Sequence, residues 1–146
     1  MMRRALIPVL LVLLAAPVAA EQGLSVRAEG GWRLGFAPGE SALDAATRDA
    51  LAGLAPGLAA NLAALARGRI TVEAQASSPA DDASLARRLS LTRAATVRDV
   101  LVAAGVPATR IDIRALGRRD PPVDIAEILP PGVPRADSGS ASRNTR

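Results

Sequence analysis

Hydrophobic and polar positions along this chain fall into two rhythms. Trp32, Leu34 and Phe36 alternate with Arg33 and Gly35, a period of two that predicts a first strand. Ile70, Val72, Ala74 and Ala76 alternate with Thr71, Glu73 and Gln75, giving a second. Residues 110–116 read as a third, with Ile111 and Ile113 on one face and Asp112 and Arg114 on the other; residues 123–128 make a short fourth. Between the first two strands, leucines 43, 51, 54, 58, 62 and 65 mark the apolar face of a helical stretch, with Ser41 and Asp44 at capping-box spacing before it. Gly53, Pro56 and Gly57 interrupt that stretch, which predicts two helical pieces or a kink, because proline lacks an N–H and crowds the preceding turn. A second helix is expected from the Ser78-Pro79-Ala80-Asp81 start signal to Gly105.

The strand–helix–strand of residues 70–116 has the length of a right-handed crossover, so its two strands should lie parallel and adjacent. The expected fold is α+β: a two-layer sandwich of order βαβαββ, a small mixed sheet covered on one face by two main helices. This domain occupies residues 32–129 and follows a polar lead-in at residues 21–31. Residues 130–146 are rich in Pro, Ser, Gly and Arg and should be disordered. Residues 1–20 begin with Arg3 and Arg4, run apolar from Ala5 to Ala16 and end in small residues before Glu21, the pattern of a secretory signal peptide. The apolar run is shorter than the ~20 residues of a spanning helix, so no transmembrane segment is expected in the mature chain.

Composition removes most chemistry. Of 146 residues none is cysteine, histidine or lysine; all 18 basic residues are arginine, and Trp32 and Phe36 are the only aromatics. Disulfides, thiol nucleophiles, the usual neutral-pH base and Schiff-base lysines are therefore excluded. No nucleophile–base pair stands out, no cofactor or metal is implied, and a non-enzymatic role is expected. The net charge of +4 falls to +2 without Arg3 and Arg4, too little to argue for nucleic acid.

One residue breaks the helical pattern. On the second helix Leu85, Leu89, Val97, Val100, Leu101 and Ala104 form an apolar stripe, with Arg87, Arg88, Arg98 and Asp99 opposite. Arg93 lies inside the stripe, on the bearing of Ala86. A guanidinium keeps its proton, and burying it unpaired costs several kcal/mol. Three readings are open: Arg93 snorkels to water, it forms an internal salt bridge or carbonyl cap, or it enters a shallow pocket and meets a ligand carboxylate.

Around Arg93 the chain resembles a known family. Arg88-Leu89-Ser90-Leu91-Thr92-Arg93-Ala94-Ala95-Thr96-Val97, then Leu101 and Gly105-Val106, is similar to the L-S-x-x-R-A-x-x-V signature of the OmpA-like C-terminal domain, shared with peptidoglycan-associated lipoprotein and MotB. Arg110-Ile111, Gly117 and Pro121, and the segment Leu34-Gly35-Phe36-Ala37-Pro38-Gly39 with Leu43, follow its other two motifs. The resemblance implies an exported, periplasmic module, associated with outer membrane or cell wall, that holds peptidoglycan stem peptides non-covalently by the two ends of diaminopimelate. It also implies a last strand lying antiparallel between the first two. The family arginine, which takes the ligand carboxylate, falls on Arg93. The family aspartate, which takes the ammonium, is absent: the chain reads Ala74-Gln75-Ala76-Ser77, or one further on, Gln75-Ala76-Ser77-Ser78. Ser77 and Ser78 offer uncharged acceptors there. Asp81 and Asp82 would substitute if the loop folds back, or else serve as helix-start carboxylates, and Phe36 would line the pocket or belong to the core. The alternative is a binding-impaired relative that serves the envelope through structural or protein–protein contacts, with Arg93 as a buried ion pair.

Overall fold

The computed structural model describes residues 23–135; the expected signal peptide at 1–20 and residues 136–146 lie outside them. Seven elements follow in chain order: β1 (Leu24–Val26), β2 (Trp32–Gly35), α1 (Ala45–Ala63), β3 (Ile70–Gln75), α2 (Ala83–Ala103), β4 (Ile111–Gly117) and β5 (Ile125–Leu129), with a 3-10 turn (Ala108–Arg110) before β4. The strands form one mixed sheet in the order β1-β2-β5-β3-β4. β3 and β4 are parallel neighbours, as a crossover through α2 requires. β5 returns antiparallel between β2 and β3, with Leu34 and Ala74 both opposite Ala126. This is the α+β architecture expected, with one addition: Leu24–Val26 in the lead-in pairs antiparallel with β2. Three residues between glycines carry too little alternation to be read as a strand; the partner supplies the order.

The alternation of each strand sends Leu34, Val72, Ala74, Ala126 and Ile128 inward to meet Leu51, Leu58 and Leu62 of α1 and Ala94, Val97 and Leu101 of α2. The structure corrects four expectations for the helices. α1 is a single helix that runs through Pro56, whose exposed position leaves the carbonyl of Ala52 near water instead of in the core. Its cap is Asp44, which accepts from the N–H of Thr47 at 2.7 Å, not Ser41. On α2 the buried line is Ala86, Ser90, Arg93, Ala94, Val97 and Leu101, while Leu85 is 43% exposed. Small side chains face the sheet, so the helix packs closely on β4: a Cβ on Gly117 would lie 3.5 Å from the backbone of Arg87. Ser90 fastens that approach, accepting from the Gly117 N–H at 2.9 Å and donating to the Arg87 carbonyl at 2.8 Å. The helix starts at Ala83, not at Pro79, because Asp82 caps it by accepting from the Leu85 N–H at 3.0 Å.

Candidate functional site

Arg93 has no exposed surface. Its place on the sheet side of α2 aims the guanidinium at the ends of β2, β3 and β5, where backbone carbonyls run out of ladder partners. Nε donates to the Glu40 carbonyl at 2.7 Å, Nη2 to the Ala37 carbonyl at 3.0 Å, and Nη1 to the Gln75 carbonyl at 2.8 Å. Nη1 also donates to Oδ1 of Asp124 at 2.7 Å. Four of the five N–H groups of the fork are thus engaged within the chain. Phe36, itself buried, lies under the guanidinium with its ring centroid 4.9 Å from the central carbon, a cation–π contact in a dry setting.

Asp124 completes the arrangement from the loop ahead of β5. Its Oδ1 accepts from the Ser77 N–H at 2.9 Å, and its Oδ2 accepts from the Ser77 hydroxyl. The Asp124 carbonyl in turn accepts from the Phe36 N–H at 2.9 Å. The side chain is 13% exposed, so it forms the lid of the cluster. Burial alone would raise its pKa; the Ser77 hydroxyl and N–H and the adjacent Arg93 outweigh that and hold it below the ordinary aspartate value. Arg118 closes the outside by donating to the Ser77 carbonyl. The nearby cleft is lined by Ala80, Ala83, Arg118, Arg119, Asp120 and Pro122, and Arg93 does not line it.

Three of the residues singled out in the sequence, Arg93, Phe36 and Ser77, come together here. The other three stand apart: Ser78 and Asp81 are exposed, and Asp82 is occupied at the start of α2. The residue that sequence reading missed is Asp124. Its signal was present, an acid in the Val123-Asp124-Ile125 stretch entering a strand expected at the middle of the sheet, yet only the neighbouring strand order brings it to Arg93.

The matching family model is described as the OmpA family and covers residues 35–128, most of the chain and all of this cluster. The chain belongs to the OmpA family. Solved structures with the same fold include the peptidoglycan-associated lipoprotein of Burkholderia pseudomallei (15% identity, 67% of this chain and 88% of that one, TM-score 0.56). The OmpA-like domain of FopA1 from Francisella tularensis subsp. tularensis SCHU S4 also matches (14% identity, 84% and 96% covered, TM-score 0.55), as does a periplasmic domain of Helicobacter pylori MotB (15% identity, 68% and 74% covered, TM-score 0.57). No curated protein matches at the level of sequence. In this OmpA-family domain the L-S-x-x-R-A-x-x-V residues have visible structural work: Ser90 ties α2 to β4, Ala94 and Val97 pack in the core, and Arg93 gathers three loops. No helix among the described residues is long and apolar enough to cross a membrane.

Proposed function

We propose that this OmpA-family domain is a non-enzymatic module of the bacterial cell envelope, exported to the periplasm behind the leader at residues 1–20. In it Arg93 serves the fold, and recognition of peptidoglycan stem peptides through that arginine is lost. One observation carries the reading: the fully buried guanidinium already holds an internal carboxylate, Asp124, and has no exposed surface to offer a ligand carboxylate. A charged fork satisfied by one acid and three carbonyls gains little from exchanging that acid for another, and the exchange would strand Asp124. The domain then acts through its surfaces, as a structural or protein–protein contact in the envelope.

The test uses the wild-type chain with sacculi of the diaminopimelate type. Pelleting at the background of a non-binding protein is expected. Saturable pelleting that free diaminopimelate competes away would refute the proposal and restore stem-peptide binding as the function.

A further inference from the structure

The two edges of the sheet differ. β1 closes one side with only three residues, Leu24–Val26. β4 closes the other with seven, and among the described residues it pairs with β3 alone. An edge strand turns alternate N–H and C=O groups outward, and natural sheets guard a long edge with a proline, an inward-pointing charge or a bulge. From Ile111 to Ala115 β4 has none of these. Its ladder with β3 runs unbroken from Ile70 opposite Ile111 to Ala74 opposite Ala115, and the register shifts only beyond, where Leu116 is passed over before Gly117. The regular edge is residues 111–115, and its centre is Ile113.

Alternation puts Ile111, Ile113 and Ala115 on the helix side, with Ile113 only partly buried against the core. Asp112 and Arg114 stand on the outer side, beside Thr71 and Glu73 of β3. The edge thus carries an acid one residue before its centre and a base one residue after it. That spacing is self-complementary. A second copy, related by a twofold axis normal to the sheet at Ile113, would run antiparallel and keep its helices on the same side. Asp112 of each copy would then lie opposite Arg114 of the other.

Charge selects this register. Centred on Asp112 or on Arg114, the same pairing would set like charges face to face, which destabilises a sheet. Centred on Ile113, both cross-strand pairs are of opposite sign. The two side chains already have partners at home: Asp112 holds Arg69 at 2.7 Å, and Arg114 reaches Glu73. With 43% and 33% of their surfaces exposed, each keeps room for a second contact. Across the junction the outer row would read Glu73, Arg114, then Asp112 of the second copy, alternating in sign.

We propose that β4 is a homotypic docking edge: two copies of this domain pair through residues 111–115, antiparallel about Ile113, and join their sheets into one. The inference rests on the reading of the domain as a protein–protein contact and gives that contact its partner. Pelleting with sacculi and self-association are separate measurements, so the failure of one is told apart from the failure of the other.

Sedimentation velocity of the full chain over a range of concentrations tests it. A monomer–dimer equilibrium is expected. Asp112→Arg sets arginine against arginine at both pairs and is expected to weaken the dimer about tenfold or more. The chain has no cysteine, so a single one introduced at the edge reports the register. Ile113→Cys is expected to form an intersubunit disulfide under mild oxidation, because the two copies of residue 113 face each other across the axis. Asp112→Cys is expected to stay uncrosslinked, since its counterpart lies diagonally at about 7–8 Å, beyond the span of a disulfide. A chain that stays monomeric up to about 1 mM would overturn the proposal. So would a dimer that Asp112→Arg leaves unchanged, or one that crosslinks through residue 112 in preference to 113.

Discussion

Replacing Arg93 with alanine separates the two roles an arginine can have at this position. If the side chain existed to meet a ligand, its loss would leave the free protein nearly unchanged, within the roughly 0.5 kcal/mol typical of substitutions away from buried features. The geometry demands more. Truncation removes a fully buried cation from Asp124 and takes the donors from the carbonyls of Ala37, Glu40 and Gln75 at one stroke. Asp124 is 13% exposed and recovers some hydration, but the cavity above Phe36 does not refill. Breaking a buried pair from one side costs about 3–5 kcal/mol. That is a large part of a stability of roughly 5–15 kcal/mol, and it lowers Tm by roughly 15 °C or more. Urea and thermal unfolding measure it, with Arg88→Ala on the exposed face of α2 as the control, expected to stay near wild type. The double variant Arg93→Met with Asp124→Leu is expected to recover only part of the loss, because the ion pair is replaced but three carbonyls are still without donors. A destabilisation below about 1 kcal/mol for Arg93→Ala would refute the clamp.

Three further outcomes follow from neighbouring contacts. Because Asp124 titrates below its ordinary value of 3.8, its contribution to stability is complete above that pH and is lost as pH falls through the lower folded-state value; the acid limb of a pH–stability curve should therefore be shallower in Asp124→Asn. Ser90→Ala leaves the buried Gly117 N–H without its acceptor and should cost about 1–3 kcal/mol in urea unfolding, whereas Thr92→Ala on the exposed face should be nearly silent. Gly31→Ala should destabilise by about 1–3 kcal/mol or more, since its φ is 79° and an added Cβ would fall 2.4 Å from the Ile128 carbonyl oxygen; a neutral result in thermal unfolding would contradict the backbone path between β1 and β2.

How far the sequence reveals this molecule depends on the range of each interaction. The strands β2, β3, β4 and β5 are legible because alternation is local and each strand is hydrophobic on its own inner face. β1 is not, because three residues gain their order only from pairing with β2. On α2 the apolar stripe holds at Val97 and Leu101, with Val100 and Ala104 packed against the core, but close packing on β4 also places Ser90 and Ala94 inward and turns Leu85 out, which helical periodicity alone does not reveal. Arg93 was recognisable as an anomaly from helical geometry alone, but its partner was not. Asp124 lies 31 residues away in sequence, and only the return of β5 to the centre of the sheet carries it there.

That long-range partner changes what the family motif can be taken to mean. A ligand-binding arginine must be held in position by its protein yet keep part of its fork open, so a buried guanidinium with four of five N–H groups engaged lies at the structural end of that range. Between Gln75 and Ser78 an ammonium group would find no carboxylate, only the uncharged Ser77 and Ser78, while Asp124 is already bonded to Arg93 and Ser77. With Asp124 in place, the β2–α1 loop, the end of β3 and the entry to β5 are all anchored to α2 through a single side chain, which is by itself a structural reason for an arginine at position 93.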